Sequence, residues 1–365
     1  MVILIGIALP KTETRTLTEQ PLRFLCFGMG AIGTYIGGSL AAAGYRMSFL
    51  ERPEAKKVLQ GRPLSVDTPS GKKRVENFKV FFSLKEALEA DRFDVALLAV
   101  KSFDTQSVIE SIHPFVNGFP AVLCLQNGIE NEPLFDKLLG PSKVIGASIA
   151  TAVGKRGVGD VFVEKMRGLG IDSSNQLSGQ LIEAFNKADL NARGYPNRED
   201  LKWSKMLTNL LGNATSAILN WTPAQVFANR DIYSIEVRQI RETLAVMGKL
   251  DIHLVNLPGT PIKLLIQLMQ HTPQALSQPL SYLAMGKGRG NKMPSFHIDL
   301  YFGQTRSEVT YLNGAVVRAA ENLGLRAPVN RALTTILEDL AAGRKQKSEF
   351  ANNPARLISA IKDFE

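Results

Sequence analysis

The chain has 365 residues, 45% hydrophobic and 21% charged, with two cysteines and a formal net charge of +9. That length exceeds what one core usually fills, so two domains are expected, and the balance is that of a soluble globular protein. The lysines and arginines are scattered without a nucleic-acid-binding signature, so the charge reads as an attraction for phosphate and carboxylate ligands, with no nucleic acid and no membrane as partner.

Met1 to Leu9 is apolar but short, lacks a positive flank and runs into Pro10-Lys11, which makes a poor signal peptide and no membrane span. Residues 1–21 are expected to be a loose extension, and the protein cytoplasmic. Cys26 and Cys124 sit in apolar runs and read as buried thiols in a reducing compartment.

From Leu22 to Arg52 the pattern is strand, glycine turn, helix, strand. Leu22 to Phe27 is apolar; Gly28-Met29-Gly30-Ala31-Ile32-Gly33 follows as G-x-G-x-x-G; an Ala- and Gly-rich helical run stops at Gly44. In that context Gly28 serves the tight turn, Gly30 the approach of a pyrophosphate, and Gly33 close helix–strand packing, with the phosphates at the helix N-terminus. The second strand, Arg46 to Leu50, ends in Glu51-Arg52. A carboxylate there suits the ribose hydroxyl of NAD and an arginine the 2′-phosphate of NADP. Arg52, and hence NADPH, is the expected choice, with NAD second.

Beyond Arg52 come a short helix, a turn region marked by Pro63, Pro69 and Gly71, and a strand near Phe78 to Phe82. Val95 to Val100 is a buried-strand run ending in Lys101, and Ala121 to Leu125 another, ending in Gln126-Asn127-Gly128. Alternating strands and helices predict a doubly wound parallel sheet of the Rossmann type, with Lys101 and Asn127 on its ligand-binding edge. Gly154 to Gly170 suggests a hairpin as the last β element, and Tyr195-Pro196-Asn197 a domain boundary. The expected domains are therefore residues 22–195, dinucleotide-binding, and 196–365, mostly α-helical. Gly286 to Gly290 reads as a basic flexible loop, and the four histidines show no metal-ligand spacing.

Within the second domain, Leu201 to Asn220 has helical periodicity. Trp203, Met206, Leu207, Leu210, Leu211, Ala214, Ala217 and Ile218 form an apolar arc, opposite a narrow stripe of Lys205, Asn209, Gly212, Asn213 and Ser216. Solvated faces favour good helix formers, whereas asparagine and glycine are poor ones. One cation followed by two amides reads as a site lining, with Gly212 letting a ligand approach the backbone.

This helix resembles the catalytic helix of ketopantoate reductases, roughly Trp-x-Lys-Leu-x-x-Asn-x-x-x-Asn, here Trp203 to Asn213 with Met206 in the leucine position. Further matches fall in family order: the glycine turn, Arg52, Val100-Lys101, Gln126-Asn127-Gly128, Pro294-Ser295 through Asp299, and Ser307-Glu308-Val309 through Asn313-Gly314. The resemblance spans about residues 22 to 345. It implies NADPH-dependent reduction of ketopantoate to pantoate, toward pantothenate and coenzyme A. By it Lys205 is the general acid, Glu308 orients Lys205 or bonds the substrate, and Ser295 takes the substrate carboxylate. Asn209 and Asn213 take substrate oxygens, Asn127 lies by nicotinamide and substrate, and Lys101 by the cofactor.

Simpler roles stand beside these: Thr305 to Glu308 is a capping box, Ser295 a helix cap, and Asp299 a helix-face or capping acid. The Asp299–Glu308 spacing is one residue longer than the family pattern, and Leu254 to Lys292 is also longer. That segment would reshape the pocket or form a subunit contact, and the Leu-rich helices leave a homodimer open. Reduction of another branched or bulky 2-oxo acid, and a non-catalytic dinucleotide sensor, are the alternatives.

Overall fold

The computed structural model describes residues 21–59, 61–286, 293–302 and 306–365. Its strands are β1 (Arg23–Phe27), β2 (Arg46–Leu50), β3 (Leu64–Thr68), β4 (Gly71–Val75), β5 (Lys79–Phe81), β6 (Val95–Leu98), β7 (Ala121–Cys124), β8 (Val144–Ile149), β9 (Ala152–Gly157), β10 (Asp160–Lys165), β11 (Leu169–Asp172) and β12 (Ala192–Tyr195). Of these, β1, β2, β6, β7 and β8 fall on the apolar runs. The expected N-terminal extension up to residue 20, the basic loop at 287–290, and Thr305 of the capping box lie outside the described residues.

The eight-stranded sheet has the order β12-β11-β8-β7-β6-β1-β2-β5. Its strands are parallel from β8 to β5, while β11 runs antiparallel to β8 and parallel to β12. The continuous apolar strands β6, β7 and β8 are buried, as a sheet covered on both faces requires. Helix Ala31–Ala42 lies between this sheet and a four-stranded one, β4-β3-β10-β9. Gly37 and Gly38 make that possible. A Cβ on Gly37 would stand 2.6 Å from the Phe49 ring of β2, and one on Gly38 would stand 2.7 Å from Val66 of β3.

Two sequence expectations need correction here. The turn region around Pro69 is a hairpin: β3 pairs antiparallel with β4 while Pro69 and Ser70 make the turn, Leu64, Val66 and Thr68 alternate inward, and Ser65 to Asp67 pair with β10. The β9–β10 hairpin is not the last β element, because the chain returns to the large sheet as β11 and β12. β12 is a four-residue edge strand with two exposed positions, so it carries little apolar signal.

From Arg198 onward the described chain is helical apart from an isolated bridge between Leu257 and Thr260. Helices Arg198–Leu210, Arg230–Lys249, Asn313–Asn322 and Pro328–Ala341 enclose a second core around Leu207, Leu210, Phe227, Ile240 and Leu333. The first of these packs directly on β8 and β11, which brings the helical part against the strand ends. Among the described residues no helix is long and apolar enough to cross a membrane.

Candidate active site

The glycine turn has the geometry that a dinucleotide needs. Gly28 has φ +92°, and its N–H donates to the Leu50 carbonyl at 2.9 Å. A Cβ on Gly33 would stand 1.9 Å from the Gly28 oxygen, so only glycine lets the helix start this close to the turn. Gly30, by contrast, faces open space, with no heavy atom within 4 Å of where its Cβ would be. Met29 is buried, and its carbonyl accepts the Thr34 hydroxyl at 3.0 Å; Ala31 and Ile32 open the helix. The residues present therefore fit a pyrophosphate against backbone N–H groups.

At the end of β2 both contested side chains have protein partners. Glu51 folds back so that its carboxylate accepts the Met29 N–H at 2.6 Å and the Arg52 N–H at 2.9 Å. The exposed Arg52 guanidinium pairs with Asp104 at 2.8 Å, a partner that nothing in the sequence pattern indicated.

Lys101, after β6, reaches across to the helical part. Its ammonium lies 2.5 Å from Glu308 and 3.5 Å from Asp299. Burial pulls the Lys101 pKa down, but the two carboxylates outweigh it and leave it above the ordinary lysine value. Asp299 is raised, mainly by burial, with Lys101 opposing and Glu308 adding to the shift. Asp299, expected as a helix-face or capping acid, lies within the helix Ser295–Tyr301 and faces the Lys101 ammonium. Glu308 opens a short 3-10 turn, Glu308–Tyr311, where the Ser307 hydroxyl accepts the Val309 N–H at 3.2 Å.

Asn127 joins the two halves. Its carbonyl accepts the Ser102 hydroxyl at 2.9 Å and the Asn131 amide at 2.8 Å, which fixes the turn. Its side-chain oxygen accepts the Asn209 amide at 3.1 Å.

The Lys205 helix begins at Asn197, whose side chain caps the Asp200 N–H at 3.0 Å. It does not run unbroken to Asn220: the helix Arg198–Leu210 stops and Ala214–Leu219 follows. Gly212 has φ +61°, and its N–H donates at 2.7 Å to Glu236, which is fully buried and also accepts the Thr215 hydroxyl at 2.6 Å. A buried carboxylate thus satisfies the amide and hydroxyl groups that the break turns inward. Gly212 serves the break rather than a ligand's approach: a Cβ there would meet Phe227 at 3.1 Å. Gly212→Ala is expected to destabilise the fold by about 1–2 kcal/mol through the left-handed backbone and that contact, read as a lower urea midpoint.

Lys205 and Asn209 line one cavity together with Thr208. Asn213 lies beyond them: its amide donates to the Asn209 carbonyl at 3.0 Å and to the Ser295 hydroxyl at 3.3 Å. Its oxygen accepts the Phe296 N–H at 3.1 Å. Asn213, not Ser295, caps the helix Ser295–Tyr301, and Ser295 is the first helical residue. Lys202 went unnoticed in the sequence. It is 4% exposed, faces the equally buried Glu132 carboxylate at 2.7 Å, and donates to the Gln126 carbonyl at 2.7 Å and that of Ala147 at 3.3 Å.

Residues 24–175 match the family model described as Ketopantoate reductase PanE/ApbA, and residues 197–341 match its C-terminal counterpart. A 2-dehydropantoate 2-reductase of Pyrococcus horikoshii is 26% identical over 338 residues, covering 89% of this chain and 100% of the relative. One from Archaeoglobus fulgidus is 25% identical over 330 residues, covering 88% and 98%. Among solved structures, a PanE/ApbA family ketopantoate reductase from Ralstonia eutropha JMP134 is similar with a TM-score of 0.73 at 25% identity, covering 88% of this chain and 99% of that one. The family matches take in the glycine turn, Lys205 and Glu308, and the chain belongs to the ketopantoate reductase PanE/ApbA family of oxidoreductases.

Proposed function

We propose that the protein reduces a 2-oxo acid to its 2-hydroxy acid with NADPH, and that ketopantoate is the first substrate to test. The observation that carries this reading is the Asn209–Asn127 hydrogen bond, which ties the Lys205 helix to the end of β7, two strands along the same sheet edge from the glycine turn after β1. Lys205 is then close to the edge where a dinucleotide lies in such sheets. When bound, the dinucleotide supplies the hydride. Lys205 donates a proton to the carbonyl oxygen as negative charge develops there. Asn209 and Asn213, the latter together with Ser295, offer hydrogen bonds to substrate oxygens. Lys101 is held by Glu308 and Asp299 at the cofactor edge, where Asn127 borders both ligands. The relatives named 2-dehydropantoate 2-reductase support the same chemistry.

For the cofactor, Arg52 is the residue we assign to the 2′-phosphate. Its pair with Asp104 is solvent-exposed and worth little, so a dianionic phosphate can displace it. Glu51 already spends both oxygens on backbone N–H groups. Arg52→Gln is expected to weaken NADPH roughly tenfold to a hundredfold and to leave NADH within about twofold, as read from the two dissociation constants. An unchanged ratio, or wild-type preference for NADH, would move the role to Glu51.

A second reading, another branched or bulky 2-oxo acid, is favoured by the apolar wall that Leu257, Ile262, Leu265 and Met285 give the Lys205 cavity. Steady-state rates of NADPH loss with ketopantoate and a panel of larger 2-oxo acids separate the two. Highest kcat/KM for ketopantoate supports the first reading, and highest for an aryl or longer branched acid the second. Binding of the cofactor without turnover of any 2-oxo acid would contradict both.

A further inference from the structure

Among the described residues Arg167 is a half-buried arginine for which no carboxylate partner is seen, unlike Arg23, Arg198 and Arg318, each of which meets an aspartate or glutamate. It lies between β10 and β11, and its main chain is fixed. Its N–H donates to the Thr151 hydroxyl at 3.1 Å, and its carbonyl accepts the Asn191 amide at 2.9 Å. Of its side-chain donors, Nη1 meets the Ala150 carbonyl at 3.3 Å. The stem is clamped by Gly259, on which a Cβ would stand 3.0 Å from the Arg167 Cβ and 3.1 Å from its Cγ. Burial lowers its pKa from the ordinary arginine value, though an arginine stays charged.

The side chain borders the same cavity of about 330 Å³ as Lys205 and Asn209, with the exposed Lys165 at the rim adding positive field. A partly desolvated guanidinium at the wall of a cavity, with no counter-ion among the described residues, is a site for an anion with two coplanar oxygens. Much of the remaining lining is apolar, with Leu257, Ile262, Leu265 and Met285 contributed by the segment whose Gly259 packs on the Arg167 stem. We propose that Arg167 binds the substrate carboxylate, so that the adjacent 2-oxo group faces Lys205 and the apolar side chain rests on the 257–285 wall. This rests on the 2-oxo acid reading above. It assigns to Arg167 the carboxylate that the resemblance gives to Ser295, whose hydroxyl accepts the Asn213 amide at 3.3 Å and keeps its own O–H for another substrate oxygen.

The test compares wild type, Arg167→Lys and Arg167→Met in the NADPH-loaded protein, using ketopantoate and its uncharged amide, by calorimetric binding and by steady-state kinetics. Wild-type affinity for NADPH in each variant establishes that it is folded. The expected result is a 30- to 300-fold weaker dissociation constant and KM for ketopantoate in Arg167→Met, partial recovery in Arg167→Lys, and loss of the preference for acid over amide. A smaller change in kcat accompanies them. Unchanged ketopantoate binding in Arg167→Met overturns the proposal, even where wild type turns ketopantoate over and the functional reading stands. Arg167-dependent binding without turnover leaves the carboxylate site in place and overturns the functional reading instead. Absence of any acid-over-amide preference in wild type also overturns the proposal.

Discussion

Lys205→Ala is expected to lower kcat by roughly 10²–10⁴-fold, the usual worth of a positioned general acid, with NADPH affinity within about threefold of wild type. Lys205 lies on the helix face shared with Asn209, at the cavity and not in the core, and Asn209 is bonded to Asn127 on the strand edge. Removing the ammonium takes away both the proton and the charge that stabilises the developing alkoxide, while the glycine turn is untouched. Single-turnover rates with ketopantoate, alongside cofactor titration, are the measurement. A variant that keeps its rate would assign the proton to another group, and an inert wild type with intact cofactor binding would favour a dinucleotide sensor.

The largest stability effect is expected at a residue without a direct chemical role. Lys202→Ala strands the buried Glu132 carboxylate and removes donors from the Gln126 and Ala147 carbonyls. Breaking a buried pair by removing one partner costs about 3–5 kcal/mol, because the remaining charge stays out of water. The double variant Lys202→Met with Glu132→Leu should recover most of that loss, since apolar groups of similar volume leave nothing unpaired. Urea unfolding of wild type, single and double variants measures the difference. A loss below about 1 kcal/mol in Lys202→Ala would contradict the buried pair. Because the Gln126 carbonyl precedes Asn127, the single variant should also raise KM by loosening the turn that meets Asn209.

What the sequence made legible depended on local pattern. Strands β1, β6, β7 and β8 are apolar runs, and the glycine spacing carries its own geometry, so the Rossmann-type sheet could be read directly. Lys205 and Asn209 follow the helical period and do share a cavity. The remaining features are set by partners distant in the chain. The helix break at Gly212 exists because Glu236 accepts its N–H, and the periodic apolar arc passes through it unchanged. Lys202 beside Trp203 looks like any solvated lysine until Glu132 is placed against it. Asp104 and Asp299 acquire meaning only when Arg52 and Lys101 are brought to them. Arg167 is conspicuous because no carboxylate meets it among the described residues, which a one-dimensional pattern does not show.

The central claim, hydride delivery to the 2-oxo carbon in the Lys205 cleft, is tested most directly by the fate of label. Purified protein would be given ketopantoate and NADPH carrying deuterium at both C4 positions, and the product examined by mass spectrometry and proton NMR. The account predicts pantoate with one deuterium at C2, formed in step with cofactor oxidation and lost in Lys205→Ala. Cofactor oxidation without labelled pantoate, or labelled pantoate formed equally fast by Lys205→Ala, would contradict it.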